Sequence, residues 1–163
     1  MQCGVAIGSG KHKCCWNYAR NAYEYIWGTT FDRTNNNNNY LRNVSAANRT
    51  LTVEHLKQYF SSAASGANFR MDSDSVPGNG DNNGHSMIFL KVNESKNGAY
   101  FLEGNYEKGK VRIYNWSWND LVSTYGPSSK YKYNYIKYIM WPNAPEYNKD
   151  AVINNSCLDK YTH

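Results

Sequence analysis

The pattern of apolar and polar positions divides the chain into a helical first part and a stranded remainder. From Cys15, small or apolar residues recur at Ala19, Ala22 and Ile26, one face of a 3.6-residue period, and Gly28 follows the last of them as a stop. The spacing predicts a helix over 14–27. A second period through Val53, Leu56, Phe60 and Ala63 or Ala64 predicts a helix over 53–64, with Thr52 as its cap, Glu54 in its first turn and Gly66 at its end. The period then changes. Residues 67–71 read as a short strand, and 85–92, H-S-M-I-F-L-K-V, as a strongly apolar one. Asn97-Gly98 is a hairpin signal that returns the chain as a strand over 99–103. Residues 110–116 alternate as a half-exposed strand does, Ser117 caps a short helix ended by Gly126-Pro127, and a last strand covers 131–141. Helices first and antiparallel strands after predict an α+β domain with helix packed on sheet.

The punctuation between these elements adds a run of asparagines over 35–39, a loop by composition. Residues 72–84, D-S-D-S-V-P-G-N-G-D-N-N-G, form a turn-rich loop. Its D-x-D start matches the opening of a calcium loop but lacks the acidic residue that closes one, so a surface loop bordering a site is the plainer reading. One domain over 1–145 followed by a polar tail over 146–163 accounts for the chain, with no internal repeat.

Composition narrows the partners. No run has the length of a bilayer span. The net charge of +5 is spread along the chain rather than gathered into the basic stripe that nucleic acid requires, and it suits an anionic polymer such as cell wall. With 15 Tyr and 5 Trp, the chain has aromatic rings to stack on sugars, which favours an extracellular carbohydrate-containing substrate. The first residues lack the layout of a secretory signal, so a secreted or cell-wall location is expected with the signal lying outside this sequence. The cysteines at 3, 14, 15 and 157 fit no zinc spacing, and neither a metal nor an organic cofactor is expected. Adjacent Cys14 and Cys15 bridge only under strain, which leaves Cys3 with Cys157 as the better pair.

Chemistry concentrates at Cys15. The unpaired N–H groups of a helix start carry roughly half a positive charge and favour a thiolate. Cys15 is therefore either a nucleophile or a small buried hydrophobe. A nucleophile needs a base and a group that orients it. Of the four histidines, His163 is terminal, His55 falls on the polar side of its helix and is expected solvated, and His12 is too close in sequence to be held rigidly against Cys15. His85 opens the most apolar strand after a Gly-rich loop, where its ring can project from a sheet edge; the plainer alternative is a turn histidine. On the next strand Asn105 can orient an imidazole through its carbonyl, and Glu103 faces similarly; a turn asparagine is again the plainer alternative.

Cys15-Trp16 heading a helix, G-H-S-M-I-F opening a strand roughly 70 residues later, and F-L-E-G-N-Y ending the next strand together resemble the papain-like cysteine hydrolases. Over residues 10–141 the chain is most similar to their compact bacterial branches, CHAP and NlpC/P60. The resemblance implies a papain-like fold, a Cys15–His85–Asn105 triad, a thioester intermediate, no cofactor, and amide bonds of peptidoglycan as the substrate. It departs from the papain pattern in having no Gln a few residues before the nucleophile; Gln2, Ser9 and His12 are the alternatives for the second oxyanion donor. The Trp that follows favours Cys15 over Cys14. Rival expectations are a protease acting on proteins, a non-catalytic cell-surface binding module with the same fold, and a transferase or toxin using the same thioester.

Overall fold

The computed structural model describes residues 15–32, 41, 43–73, 84–104 and 111–143. Helix α1 (Cys15–Trp27) buries the predicted stripe, widened by Tyr18, Tyr23 and Trp27. Gly28, at φ 63°, takes the left-handed conformation that ends it, donating its N–H to the Glu24 carbonyl at 2.9 Å. The Glu24 carboxylate then holds the exit, accepting from Arg20 Nε and from the Phe31 N–H, each at 3.0 Å. The Trp27 indole donates to the Gly66 carbonyl at 3.0 Å and ties the helix to the turn before the sheet.

Helix α2 (Val53–Phe60) is capped as expected: the Thr52 hydroxyl accepts from the His55 N–H. It stops short of the predicted 64. The Ser61 hydroxyl bonds back to the Gln58 carbonyl at 2.7 Å, offering the backbone a local alternative to another helical turn. His55 is not the solvated residue expected. Its Nδ1 donates to the Thr50 carbonyl at 2.8 Å and its ring stacks on Tyr59, so it fastens the helix start to the preceding chain.

Five strands follow: β1 (Asn68–Asp72), β2 (His85–Asn93), β3 (Gly98–Gly104), β4 (Val111–Ser117) and β5 (Tyr135–Met140). They form one sheet in the order β4-β3-β2-β1-β5, with every neighbouring pair antiparallel. The β2–β3 turn is longer than the two-residue signal implies. A 3-10 turn over Glu94–Lys96 precedes Asn97, which sits at φ 49°. Helix α3 (Trp118–Tyr125) starts on Ser117, whose hydroxyl accepts from the Asp120 N–H at 3.0 Å. Strand β5 begins four residues later than the alternation predicts, because residues 131–134 are bonded elsewhere: Asn134 donates to the Asp72 carbonyl and Tyr133 to the Tyr125 carbonyl.

The sheet is covered on both sides, which is why β2 reads as an unbroken apolar run rather than an alternating one. Ile88 and Leu90 point with Tyr100, Leu102, Tyr138 and Met140 toward α1. Met87 and Phe89 point with Phe69, Phe101 and Ile139 toward α2 and α3. Phe60 of α2 fills the centre of that second layer, against Phe69, Phe89, Phe101 and Trp118 at ring separations of 4.8–5.5 Å. The molecule is thus α+β, with an N-terminal helix packed on a five-stranded antiparallel sheet and two further helices on the opposite face.

Candidate functional site

The first residue of α1 meets the sheet where β1 ends and β2 begins. Cys15 is partly buried, and its Sγ donates to the carbonyl of Gly84 at 3.7 Å, across 69 positions of sequence. Gly84 is the residue before His85. A side chain at 84 would collide with the Arg70 guanidinium, so only glycine lets thiol, backbone and guanidinium converge at this strand end. At the far side of the same helix turn, Gly104 plays the matching part: a Cβ there would strike the ring of Tyr18. Gly104 thereby lets α1 lie close on the end of β3, while Gly84 makes room for Arg70 and the Met71 carbonyl beside the thiol.

His85 pairs with Met71 in the β1–β2 ladder, and its ring hangs on the side of the sheet that α3 covers. There it stacks on Tyr125, with centroids 5.0 Å apart and planes 19° apart. Its Nε2 is sealed from solvent with no hydrogen-bond partner among the described residues, 4.0 Å from Glu103 Oε1. Burial, and then the charges of Arg70 and Arg112, lower its pKa to about 4, so the ring is neutral at neutral pH. Its contact with Glu103 becomes an ion pair only when a proton arrives.

Glu103, the alternative orienter that the sequence offered, lies on the same side of the sheet as His85, with 4.0 Å between its Oε1 and the imidazole Nε2. It is fully buried, opposite Met87 in the β2–β3 ladder and so on His85's side of the sheet. Trp116 Nε1 donates to one oxygen at 2.6 Å and Arg112 Nε to the other at 2.7 Å. Burial raises the carboxyl pKa, while the charge and hydrogen bond of Arg112 and the bond from Trp116 oppose that rise. Arg112 is itself held by Tyr114, whose ring lies 4.0 Å from its guanidinium carbon.

On α1's side of the same strand ends lies a second polar group. Arg70 Nε meets Asp72 Oδ2 at 3.2 Å, its Nη1 donates to Ser86 Oγ at 3.2 Å, and Lys137 Nζ reaches the same Asp72 oxygen at 3.1 Å. Asp72, the first acid of the calcium-like loop start, is therefore engaged in buried ion pairs. The two groups are linked by Tyr133, which stacks on Tyr125. Burial first, and then the charges of Cys15 and Tyr131, push the Tyr133 pKa up to about 12. Arg70 in turn acts on both His85 and Tyr133.

The structure thus brings Cys15 to the backbone beside His85, and His85 to Glu103, but the thiol bonds a carbonyl while the imidazole is turned to the opposite face of the sheet. Asn105, Gln2, Ser9, His12, Cys3, Cys14 and Cys157 lie outside the described residues. Sequence reasoning missed Arg70, Arg112, Trp116 and Tyr125. The first could have been sought as the cation within the strand that precedes the Gly-rich loop; the others depend on ladder registers and a helix packing that no spacing encodes. No family model matches the sequence, no curated protein matches it significantly, and no solved structure matches the fold significantly.

Proposed function

We propose that the protein is a cysteine-dependent amide hydrolase of papain-like type that acts on peptidoglycan. The observation that carries this reading is the Cys15 thiol at a helix N-terminus, bonded to the backbone one residue before a buried neutral histidine that has a carboxylate behind it. In the proposed reaction the His85 ring leaves Tyr125 and swings around the strand end to the Cys15 thiol, which turns from the Gly84 carbonyl and gives the imidazole its proton. The thiolate attacks the amide carbonyl carbon, and the carbonyl electrons move to oxygen, where the Cys15 N–H at the helix start supplies one donor. Collapse breaks the C–N bond as the imidazolium returns its proton to the leaving amine. Water, deprotonated by the same imidazole, then cleaves the thioester, releasing a carboxylic acid and restoring the thiol. Glu103 stabilises the imidazolium that forms in both halves, with Asn105 the alternative for that role. The spread positive charge favours a polyanionic wall polymer over a neutral peptide.

A gel containing purified cell wall, run beside one containing casein, tests the reading. Clearing of the wall by the wild-type chain and not by Cys15→Ala supports it; clearing of casein alone replaces it with a protease, and clearing of neither removes the hydrolase. One observation favours a second reading, a non-catalytic wall-binding module: the imidazole is turned toward Tyr125 and away from α1's side of the sheet. Under that reading Cys15 alkylates near pH 7 no faster than a free thiol, and His85→Ala leaves the rate unchanged.

A further inference from the structure

The ring of Tyr125 touches not only His85 but also Trp116, Tyr133 and Tyr131, at centroid separations of 5.6, 6.1 and 5.3 Å. Tyr131 is the member of this cluster that reaches solvent, 42% exposed. It also stacks on Tyr133, at 5.7 Å and 29°. Two tyrosines at i and i+2 stack in this way because the residue between them, Lys132, adopts φ 56°. A non-glycine residue in that region costs of order 1 kcal/mol or more and persists only where its surroundings enforce it.

The enforcement is visible along the backbone. The Ser129 hydroxyl accepts from the N–H groups of Tyr131 and Lys132, at 3.1 and 3.3 Å. Tyr133 N–H goes to the Tyr125 carbonyl, and Asn134 N–H to the Asp72 carbonyl at the end of β1. Four consecutive N–H groups are thus tied down beside a partly exposed aromatic ring. That segment does nothing in the proposed hydrolysis, yet it holds a large ring rigid beside the strand ends that carry Gly84 and His85. A stacking surface needs this property, since a ring already ordered loses little entropy on binding. The charge beside it is positive: Lys130 Nζ stands 4.8 Å from the Tyr131 ring centroid, and Lys132 is exposed.

We propose that Tyr131 is a carbohydrate subsite, on which an N-acetylated sugar ring of a carboxylate-bearing glycan strand stacks its C–H face while Lys130 and Lys132 meet the carboxylates. The inference rests on the wall-polymer reading of the substrate and extends it: the chain grips sugars whose carboxyl groups carry no peptide, beside the peptide amide it cuts. A peptide substrate, with no broad C–H face to offer, leaves the platform unused.

Binding is measured by calorimetry on the full chain carrying Cys15→Ser, so that no turnover is involved. The probes are a β-1,4-linked N-acetylglucosamine tetramer and glycan strands stripped of their peptides. Both are expected to bind. Tyr131→Ala weakens them about tenfold or more, the scale of one stacked ring, Tyr131→Phe retains them, and the carboxylate-bearing strands alone respond to Lys130→Glu. Thermal unfolding reports whether each variant is folded. If Tyr131→Ala does not fold, ring-proton shifts of Tyr131 during titration of the otherwise intact chain give the answer. Absence of binding by both probes, unchanged affinity in folded Tyr131→Ala, or unmoved Tyr131 resonances overturns the proposal. Tyr131-dependent binding by a chain that cleaves nothing leaves the subsite standing and removes the hydrolase; cleavage of wall amides without Tyr131-dependent binding does the reverse.

Discussion

At the scale of residues, His85 decides the pH behaviour. Its pKa is about 4 in the fold and about 6.5 in an unfolded chain, so between those values the unfolded state binds a proton that the folded state refuses. Stability contributed by keeping the ring neutral is complete above pH 6.5 and is lost as pH falls through that window, by on the order of 3 kcal/mol. Urea titrations at pH 7 and pH 4.5 measure the loss, and His85→Gln is expected to flatten it. The same neutral ring keeps its proton-accepting form well below pH 6.5. If the hydrolase reading holds, the acid limb of kcat/KM falls near pH 4 to 5; an acid limb at 6.5 contradicts the buried position. Glu103 is the other decisive residue. Glu103→Gln removes the charge that Arg112 and Trp116 bind, and because Arg112 keeps partial access to water the cost is about 2 kcal/mol rather than that of a sealed pair. Denaturant unfolding checks it.

At the scale of elements, α1 is the part that places the thiol, and its seat is set by what is missing from the strands beneath it. Gly104→Ala puts a methyl group into the Tyr18 ring and pushes the N-terminal turn away from β3. The expected result is a loss of stability of about 1–3 kcal/mol, read from the urea midpoint, together with altered Cys15 alkylation kinetics. The opposite layer behaves as an ordinary core. Phe60 makes four ring contacts there, and Phe60→Ala is expected to cost about 3–5 kcal/mol by transfer and cavity terms together, measured as a shift in urea midpoint.

At the scale of the whole molecule, the buried Arg70–Asp72–Lys137 group joins β1 to β5 across the sheet. Asp72→Asn leaves two buried cations without the carboxylate they share and is expected to destabilise by about 3–5 kcal/mol. Because the pairs are sealed, added salt does not rescue the variant, which distinguishes them from surface bridges in a salt titration. The group also shows how far sequence reading carries. The helices over Cys15–Trp27 and Val53–Phe60, the cap at Thr52, the stop at Gly28 and the apolar strand from His85 were legible, because period, cap and stop signals act over a few neighbouring residues. The late start of β5 was not, since alternation over 131–141 continues while the backbone of 131–134 is bonded to Ser129, Tyr125 and Asp72.

What the sequence by itself determined is the α+β order of elements, the placement of Cys15 at a helix start and of His85 at a strand start, and the pairing of Glu103 with His85 as a possibility. Each follows from local steric and hydrogen-bonding preferences. Only the tertiary structure decided which face each side chain takes: thiol at the Gly84 carbonyl, imidazole against Tyr125, carboxylate between Arg112 and Trp116. That choice depends on strand register and on which helix covers which side of the sheet. Both are settled by burial summed over the whole core, a quantity no short stretch of the chain contains.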